Sequence, residues 1–183
     1  SDVYFHGEGA IVRIDLNEFV AAESVDRLIE DGAVNENSLT SQVMKRPFSV
    51  VLLDEIEKAH PKVLTTLLQL LDEGVLRDIK NREVSFRDTI VVATSNAGAD
   101  KIRDMINSGV SISEAKEEIT NALIASGEFR PEFLNRFDEI CIFKPLSKED
   151  LGKIFDLTLK GVNKTLESQK ITVEVDDDAK AIL

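Results

Sequence analysis

One cysteine in 183 residues, Cys141, excludes a disulfide within the chain and points to a reducing compartment. With only two histidines, His6 and His60, and that one distant thiol, the usual zinc ligand sets cannot be assembled. No apolar run approaches the roughly 20 residues a membrane-spanning helix needs, and no stretch reads as a signal peptide, so no membrane partner is expected. Positive charge is scarce: 22 Lys and Arg stand against 34 Asp and Glu, a net charge of −12, and no basic run is visible. A nucleic-acid surface works by clustering Lys and Arg to displace counterions, so no nucleic acid is expected either. Internal repeats and low-complexity segments are absent as well. What remains is a 43% hydrophobic chain, long enough for one sizeable core and the beginning of another, and expected in the cytoplasm.

The most telling stretch is Ser49-Val50-Val51-Leu52-Leu53-Asp54-Glu55, an apolar run that ends abruptly in adjacent carboxylates. Such a run suits a strand buried on both faces of a parallel sheet. In open α/β sheets ligands bind at the carboxyl ends of the strands. A carboxylate there can hold the magnesium of a nucleotide while its neighbour orients an attacking water, the Walker B arrangement of P-loop ATPases. The plainer alternative makes Asp54 a helix cap and Glu55 a solvated acid of the first turn.

Downstream, Pro61, the stripe Val63, Leu64, Leu67, Leu68 and Leu71, and Gly74 predict a helix over residues 61–73 with His60 at its start. A second buried strand is predicted over residues 89–95, ending in Asn96 at the same sheet edge; beside Gly98, Asn96 also reads as a turn residue. Residues 129–138 predict a short helix bearing Arg136, followed by an apolar strand over 139–143 with Cys141 buried in it. Taken singly, Arg136 reads as a surface ion-pair residue. Helices near 16–30, 38–46, 99–107 and 113–126, with a hairpin made of 75–78 and 83–86, complete an alternating pattern from 10 to 143. Past Pro145, Ser147 and Asp150 form a capping pair ahead of the stripe Leu151, Ile154, Phe155, Thr158, Val162 and Leu166; a strand over 171–175 and the start of another helix follow.

The strings Val51-Leu52-Leu53-Asp54-Glu55-Ile56-Glu57-Lys58-Ala59-His60-Pro61, Thr94-Ser95-Asn96 and Phe129-Arg130-Pro131-Glu132-Phe133-Leu134-Asn135-Arg136 together resemble the Clp family of AAA+ protein-unfolding ATPases. Within that family they match the second ATPase module of the two-ring members. Arg13-Ile14-Asp15-Leu16-Asn17-Glu18-Phe19 and Lys45-Arg46-Pro47-Phe48-Ser49 extend the resemblance over nearly the whole chain. It implies an α/β fold: a parallel-sheet AAA+ large, nucleotide-binding subdomain over 1–144, truncated at its N-terminus and lacking its P-loop, then the beginning of a small α+β lid subdomain over 145–183. ATP and Mg are the implied cofactors, with Asp54 as the magnesium-associated acid and Glu55 as the residue that polarises the hydrolytic water. Asn96 is implied as the first sensor of that water or the γ-phosphate, and Arg136 as the arginine finger given to a neighbouring subunit. The implied assembly is a homo-hexamer that threads unfolded or aggregated protein through its pore, with a peptidase ring as partner of some members.

Three departures from the family pattern stand out. No G-x-x-x-x-G-K-[ST] string is present; Gly152-Lys153 is followed by Ile154 inside an amphipathic pattern. These 183 residues alone are therefore expected to be inactive, as a fragment of the ATPase. Between Ile29 and Leu39, where the family has a glycine- and aromatic-rich loop with a gripping tyrosine, the chain reads Glu30-Asp31-Gly32-Ala33-Val34-Asn35-Glu36-Asn37-Ser38, with no aromatic. Either the gripping loop is lost in this protein, or residues are left out at Ile29-Glu30, which reads as a seam and favours the second. The second-sensor arginine is also missing, since the family places it beyond a segment like residues 176–183. Between Ala97 and Glu114 no aliphatic-Gly-Phe or aliphatic-Gly-Leu tripeptide appears, which leans towards a disaggregase over a peptidase-coupled member. Two alternatives stay open: a non-catalytic pseudo-ATPase interaction module, and another AAA+ machine such as a helicase loader or clamp loader.

Overall fold

The computed structural model describes residues 11–176. It divides into two compact units, Ser1–Cys141 and Ile142–Leu183. The first is built on a parallel sheet of β1 (Ile11–Asp15), β2 (Val50–Asp54) and a third strand, β5 (Ile90–Ala93), in the order β1-β2-β5. The register sets Asp15 beside Asp54 and Leu53 beside Ala93, so the strands end together at one edge. Val12, Val51 and Leu53 are wholly buried. Each such side chain contributes about 1.5–3 kcal/mol relative to exposure. Burial of β2 on both faces holds for one face only: Val50 and Leu52 stay half-buried, because the described residues cover the second face in part.

Helices α1 (Ser24–Leu28), α2 (Leu39–Lys45) and α3 (Pro61–Glu73) connect and cover these strands. The helix predicted over 16–30 is broken into a 3-10 turn at Leu16–Phe19 and the short α1. The Phe19 carbonyl, which a continuous helix would bond to Glu23, instead accepts the His60 N–H at 2.9 Å. α3 follows its expected signals: the His60 ring nitrogen accepts the Lys62 N–H, Pro61 opens the first turn, and Gly74 closes it at φ 67°. A Cβ at Gly74 would also stand 3.0 Å from the Arg87 Cγ.

Between β2 and β5 the expected hairpin is present as β3 (Val75–Arg77) and β4 (Glu83–Ser85), antiparallel, with Leu76 and Val84 facing the core. Its turn is organised by buried Asp78, which accepts the N–H groups of Lys80 and Arg82, each at 2.9 Å, and the Arg82 Nε–H at 2.7 Å. Arg82 and Lys80 also pair with Asp31, which is buried in the 30–38 segment. The Ile79 N–H meets the Ile29 carbonyl at 3.1 Å, and the Glu30 carbonyl collects the hydroxyls of Ser38, Thr40 and Ser41. The chain across Ile29-Glu30 is thereby tied to the hairpin on one side and to the start of α2 on the other.

After β5 come α4 (Ala99–Asn107), α5 (Ile112–Ala125) and α6 (Pro131–Leu134). The strand predicted over 139–143 does not form, and Cys141, expected buried, is exposed. A strand exists only where a neighbour completes its ladder, and 139–143 has no ladder partner among the described residues.

The second unit contains α7 (Lys148–Leu166), opened by the expected capping box of Ser147 and Asp150. None of its residues is buried; Leu151, Ile154 and Val162 of the predicted stripe are at least one third exposed. The strand predicted over 171–175 does not form; the Asn163 side-chain amide instead takes both Val173 backbone groups, at 2.9 and 2.7 Å. Most of the following helix start lies outside the described residues. Among the described residues no helix is long and apolar enough to cross a membrane.

The ties at the hairpin generate a pH dependence. The Lys80 ammonium, then the Ala33 N–H and the Arg82 guanidinium, hold the Asp31 carboxyl far below the usual carboxylate range. Such a carboxyl stabilises the fold above its unfolded pKa of about 4, and the contribution is lost as pH falls towards the folded value. Urea unfolding is expected to show stability declining below about pH 4, with D31N flattening part of that decline. An unchanged pH slope in D31N would show that Asp31 contributes nothing to it.

Candidate active site

The apolar residues of β2 end at Asp54, and the backbone turns sharply at Glu55, which adopts φ 53° and ψ 53°. This left-handed conformation is uncommon for a residue with a Cβ and costs on the order of 1–3 kcal/mol, so the surroundings must hold it. Neither acid caps a helix with its side chain: α3 is capped by His60, and Glu55, at the N-cap position of the 3-10 turn Ile56–Lys58, makes no side-chain capping bond. That removes the plainer alternative for Asp54.

Asp54 accepts from the Thr94 hydroxyl through one oxygen and from the Arg13 guanidinium through the other. The Thr94 hydroxyl first, then Arg13, hold its carboxyl below the usual carboxylate range. Glu55 accepts from the Asn17 side-chain amide. Asn17 lies in the turn that follows β1, so the parallel pairing of β1 with β2 brings it to the acids.

The β5 end is stitched to the same turn. Thr94 receives the Glu55 N–H on its hydroxyl at 3.2 Å and the Ile56 N–H on its carbonyl at 3.0 Å. The Asn96 N–H donates to Glu57 Oε1 at 3.2 Å; Glu57 Oε2 is buried and has no hydrogen-bond partner among the described residues. The structure therefore brings Asp54, Glu55 and the Asn96 loop together. Arg136 it places elsewhere. The side chain sits in the turn past α6, beyond the helix expected to carry it, and pairs with Asp72 of α3. That turn is pinned by Phe133, stacked on Phe129 at 6.1 Å and edge-on to Phe137 at 5.4 Å. Arg136 also lines a cavity of about 360 Å³ with Leu70, Phe86, Val91 and Phe137.

Arg13, Asn17, Glu57 and Thr94 have site contacts that reading the chain did not assign. One signal was available: Arg13 and Asp15 are the charged residues of β1, on its exposed face, and the first can pair with an acid of a neighbouring strand. As a metal site the cluster is open. Among the described residues no three carboxylates, histidines or cysteines converge. Magnesium commonly takes one or two carboxylates and completes its shell with phosphate oxygens and water, and Asp54, held ionised, suits that donor set.

A family model described as AAA domain (Cdc48 subfamily) matches residues 1–140, and another, the C-terminal, D2-small domain of ClpB protein, matches residues 146–183. The chain belongs to the AAA domain family. Among curated proteins it is similar to probable chaperone protein ClpB 1 of Chlorobaculum tepidum, 40% identical over 190 residues that cover 98% of this chain and 43% of that protein. It is 42% identical to chaperone protein ClpB of Brucella suis over 187 residues, covering 96% of this chain and 20% of that protein. The chain thus spans between 20% and 43% of the length of these relatives. Among solved structures it is similar to the closed-state reconstruction of Hsp104 with ATPyS and FITC casein, with TM-score 0.72 and 36% identity over 89% of this chain and 28% of that one.

Removing the Arg13 charge is expected to raise the Asp54 pKa towards the ordinary carboxylate value, because both its hydrogen bond and its coulombic attraction are lost. Carboxyl carbon NMR titration of R13A checks this, and an Asp54 titration identical to the unchanged protein's would show that the ion pair is too well solvated to matter.

Proposed function

We propose that the complete protein containing these residues is a cytoplasmic, ATP-hydrolysing protein unfoldase that works as a hexamer on unfolded or aggregated protein, and that this chain supplies part of its second ATPase module. The observation that carries the reading is the pair Asp54 and Glu55 at the carboxyl end of the central parallel strand, hydrogen-bonded to the neighbouring strand's end beside Asn96. The named ClpB chaperones and the Hsp104 structure support it. The missing tripeptide between Ala97 and Glu114 favours the disaggregating role over coupling to a peptidase ring. Residues 1–144 act as the large subdomain and 145–183 as the beginning of the lid.

In this reading Asp54 is the Walker B acid that holds magnesium together with the nucleotide. Bound magnesium supplies charge neutralisation at the phosphates. Glu55 accepts a hydrogen bond from the attacking water and aims it at the γ-phosphorus, with Asn17 restraining the carboxylate that does so. Asn96, its main chain anchored by Glu57, presents its amide to that water or to a γ-phosphate oxygen. β5 is an edge strand among the described residues, and its outer edge offers a seat for a further parallel strand carrying the phosphate-binding loop. Arg136 neutralises charge on the nucleotide of a neighbouring subunit, which makes hydrolysis depend on assembly. For that it must leave Asp72, and both partners of the pair are partly solvated, so the exchange costs little.

In the complete protein, E55Q is expected to abolish ATP turnover while leaving nucleotide binding intact, because it removes the water-polarising carboxylate and leaves the phosphate contacts. Steady-state phosphate release near the unchanged rate would sink the assignment and favour a non-catalytic interaction module. R136A is expected to spare nucleotide binding and to lower hydrolysis by roughly 10³-fold or more. Mixed with E55Q, it should regain part of the activity, since some interfaces then pair an intact Glu55 with an intact Arg136. An R136A protein that hydrolyses ATP normally would leave Arg136 as the surface partner of Asp72 and nothing more.

A further inference from the structure

We infer that Thr94 is a positioning residue for hydrolysis, and that its hydroxyl sets the geometry of both carboxylates at the end of β2. The inference rests on the roles proposed above for Asp54 and Glu55. Thr94 follows the last residue of β5 and bonds to the acid-bearing turn through each of its polar groups. Its N–H donates to the Leu53 carbonyl at 2.9 Å, which extends the ladder by one rung. Its carbonyl accepts the Ile56 N–H at 3.0 Å, just past the left-handed residue. Its hydroxyl accepts the Glu55 N–H at 3.2 Å and donates to Asp54 Oδ1.

The backbone bonds are available to any residue at this position. The hydroxyl bonds are not, and they reach the two groups whose placement matters most. A hydroxyl has one proton to give and lone pairs to receive, so one oxygen can orient the Asp54 carboxylate and hold the Glu55 N–H together. The N–H it holds belongs to the residue at φ 53°, and strain of this kind persists only where the surroundings over-determine the conformation. Without the hydroxyl, the Ile56 N–H bond and the Asn17 contact remain, but the left-handed turn loses the bond made by its own residue. The Glu55 carboxylate then samples positions away from the water's line of attack, and a misplacement of about 1 Å at a catalytic group costs about 10²-fold in rate.

The experiment compares the complete protein unchanged and as T94S, T94V, T94A and E55Q, measuring kcat and KM for ATP, nucleotide affinity and urea unfolding. T94V keeps the branched shape and both backbone bonds and removes only the hydroxyl; T94S keeps the hydroxyl. T94V is expected to lower kcat about 10²-fold, a larger change than in KM or nucleotide affinity, and T94S to stay within about threefold of the unchanged kcat. Should T94V fail to fold, T94A removes the same hydroxyl and gives the same comparison against T94S. A T94V or T94A protein turning over at the unchanged rate overturns the inference, as does T94S losing as much as T94V. An inactive E55Q beside an active T94V removes only the role of Thr94, whereas an active E55Q removes the hydrolytic reading of Glu55 and this inference with it.

Discussion

Because β2 is hydrogen-bonded along both edges, to β1 and to β5, whatever follows each of these strands arrives at one edge of the sheet. That pairing is the constraint on which the site depends. It aligns Asp15 with Asp54, so that the turn after β1 delivers Asn17 to Glu55, and it aligns Leu53 with Ala93, so that Thr94 meets the acids. Shifting a parallel strand by one residue would turn Val51 and Leu53 away from the core as well as separating these groups. The apolar burial that specifies the register therefore also specifies the site. Fold stability and site geometry are coupled through the same few side chains.

The electrostatics of that edge are balanced locally. Asp54 and Glu55 are adjacent like charges, and each has its own partner: Arg13 and the Thr94 hydroxyl for the first, the Asn17 amide for the second. With these donors in place Asp54 stays ionised, as the magnesium-associated role proposed for it requires. The arginine proposed to act on a neighbouring subunit is kept on a turn packed by aromatic rings and neutralised by Asp72. An exposed pair of that kind is weak, which suits a side chain that has to change partners.

The segment joining α1 to α2 shows a different solution to ordering a short polar loop. It holds no aromatic and little apolar area, so packing alone cannot fix it. Its order comes from charge and hydroxyl groups: Asp31 bound by Lys80 and Arg82, Asp78 organising the hairpin turn, and the Glu30 carbonyl accepting hydroxyls of Ser38, Thr40 and Ser41. Loop and hairpin are thus one hydrogen-bonded piece.

By itself the sequence determined the elements whose causes are local. Apolar runs marked β2 and β5, the Pro61 to Gly74 span marked α3, and Ser147 with Asp150 marked the start of α7, because periodicity, caps and chain stiffness act over a few residues. The carboxylates of the candidate site were legible for the same reason, since an acid pair ending a buried run is a local pattern. The tertiary structure alone decided matters that need a distant partner. The strand expected over 139–143 lacks a neighbour among the described residues, the one over 171–175 is displaced by the Asn163 amide, and the helix expected over 16–30 is interrupted where Phe19 bonds to His60. The same holds for Arg13, Asn17 and Thr94. Each reaches its acid across 38 to 41 residues of chain, a separation over which no local pattern carries information and only strand pairing does.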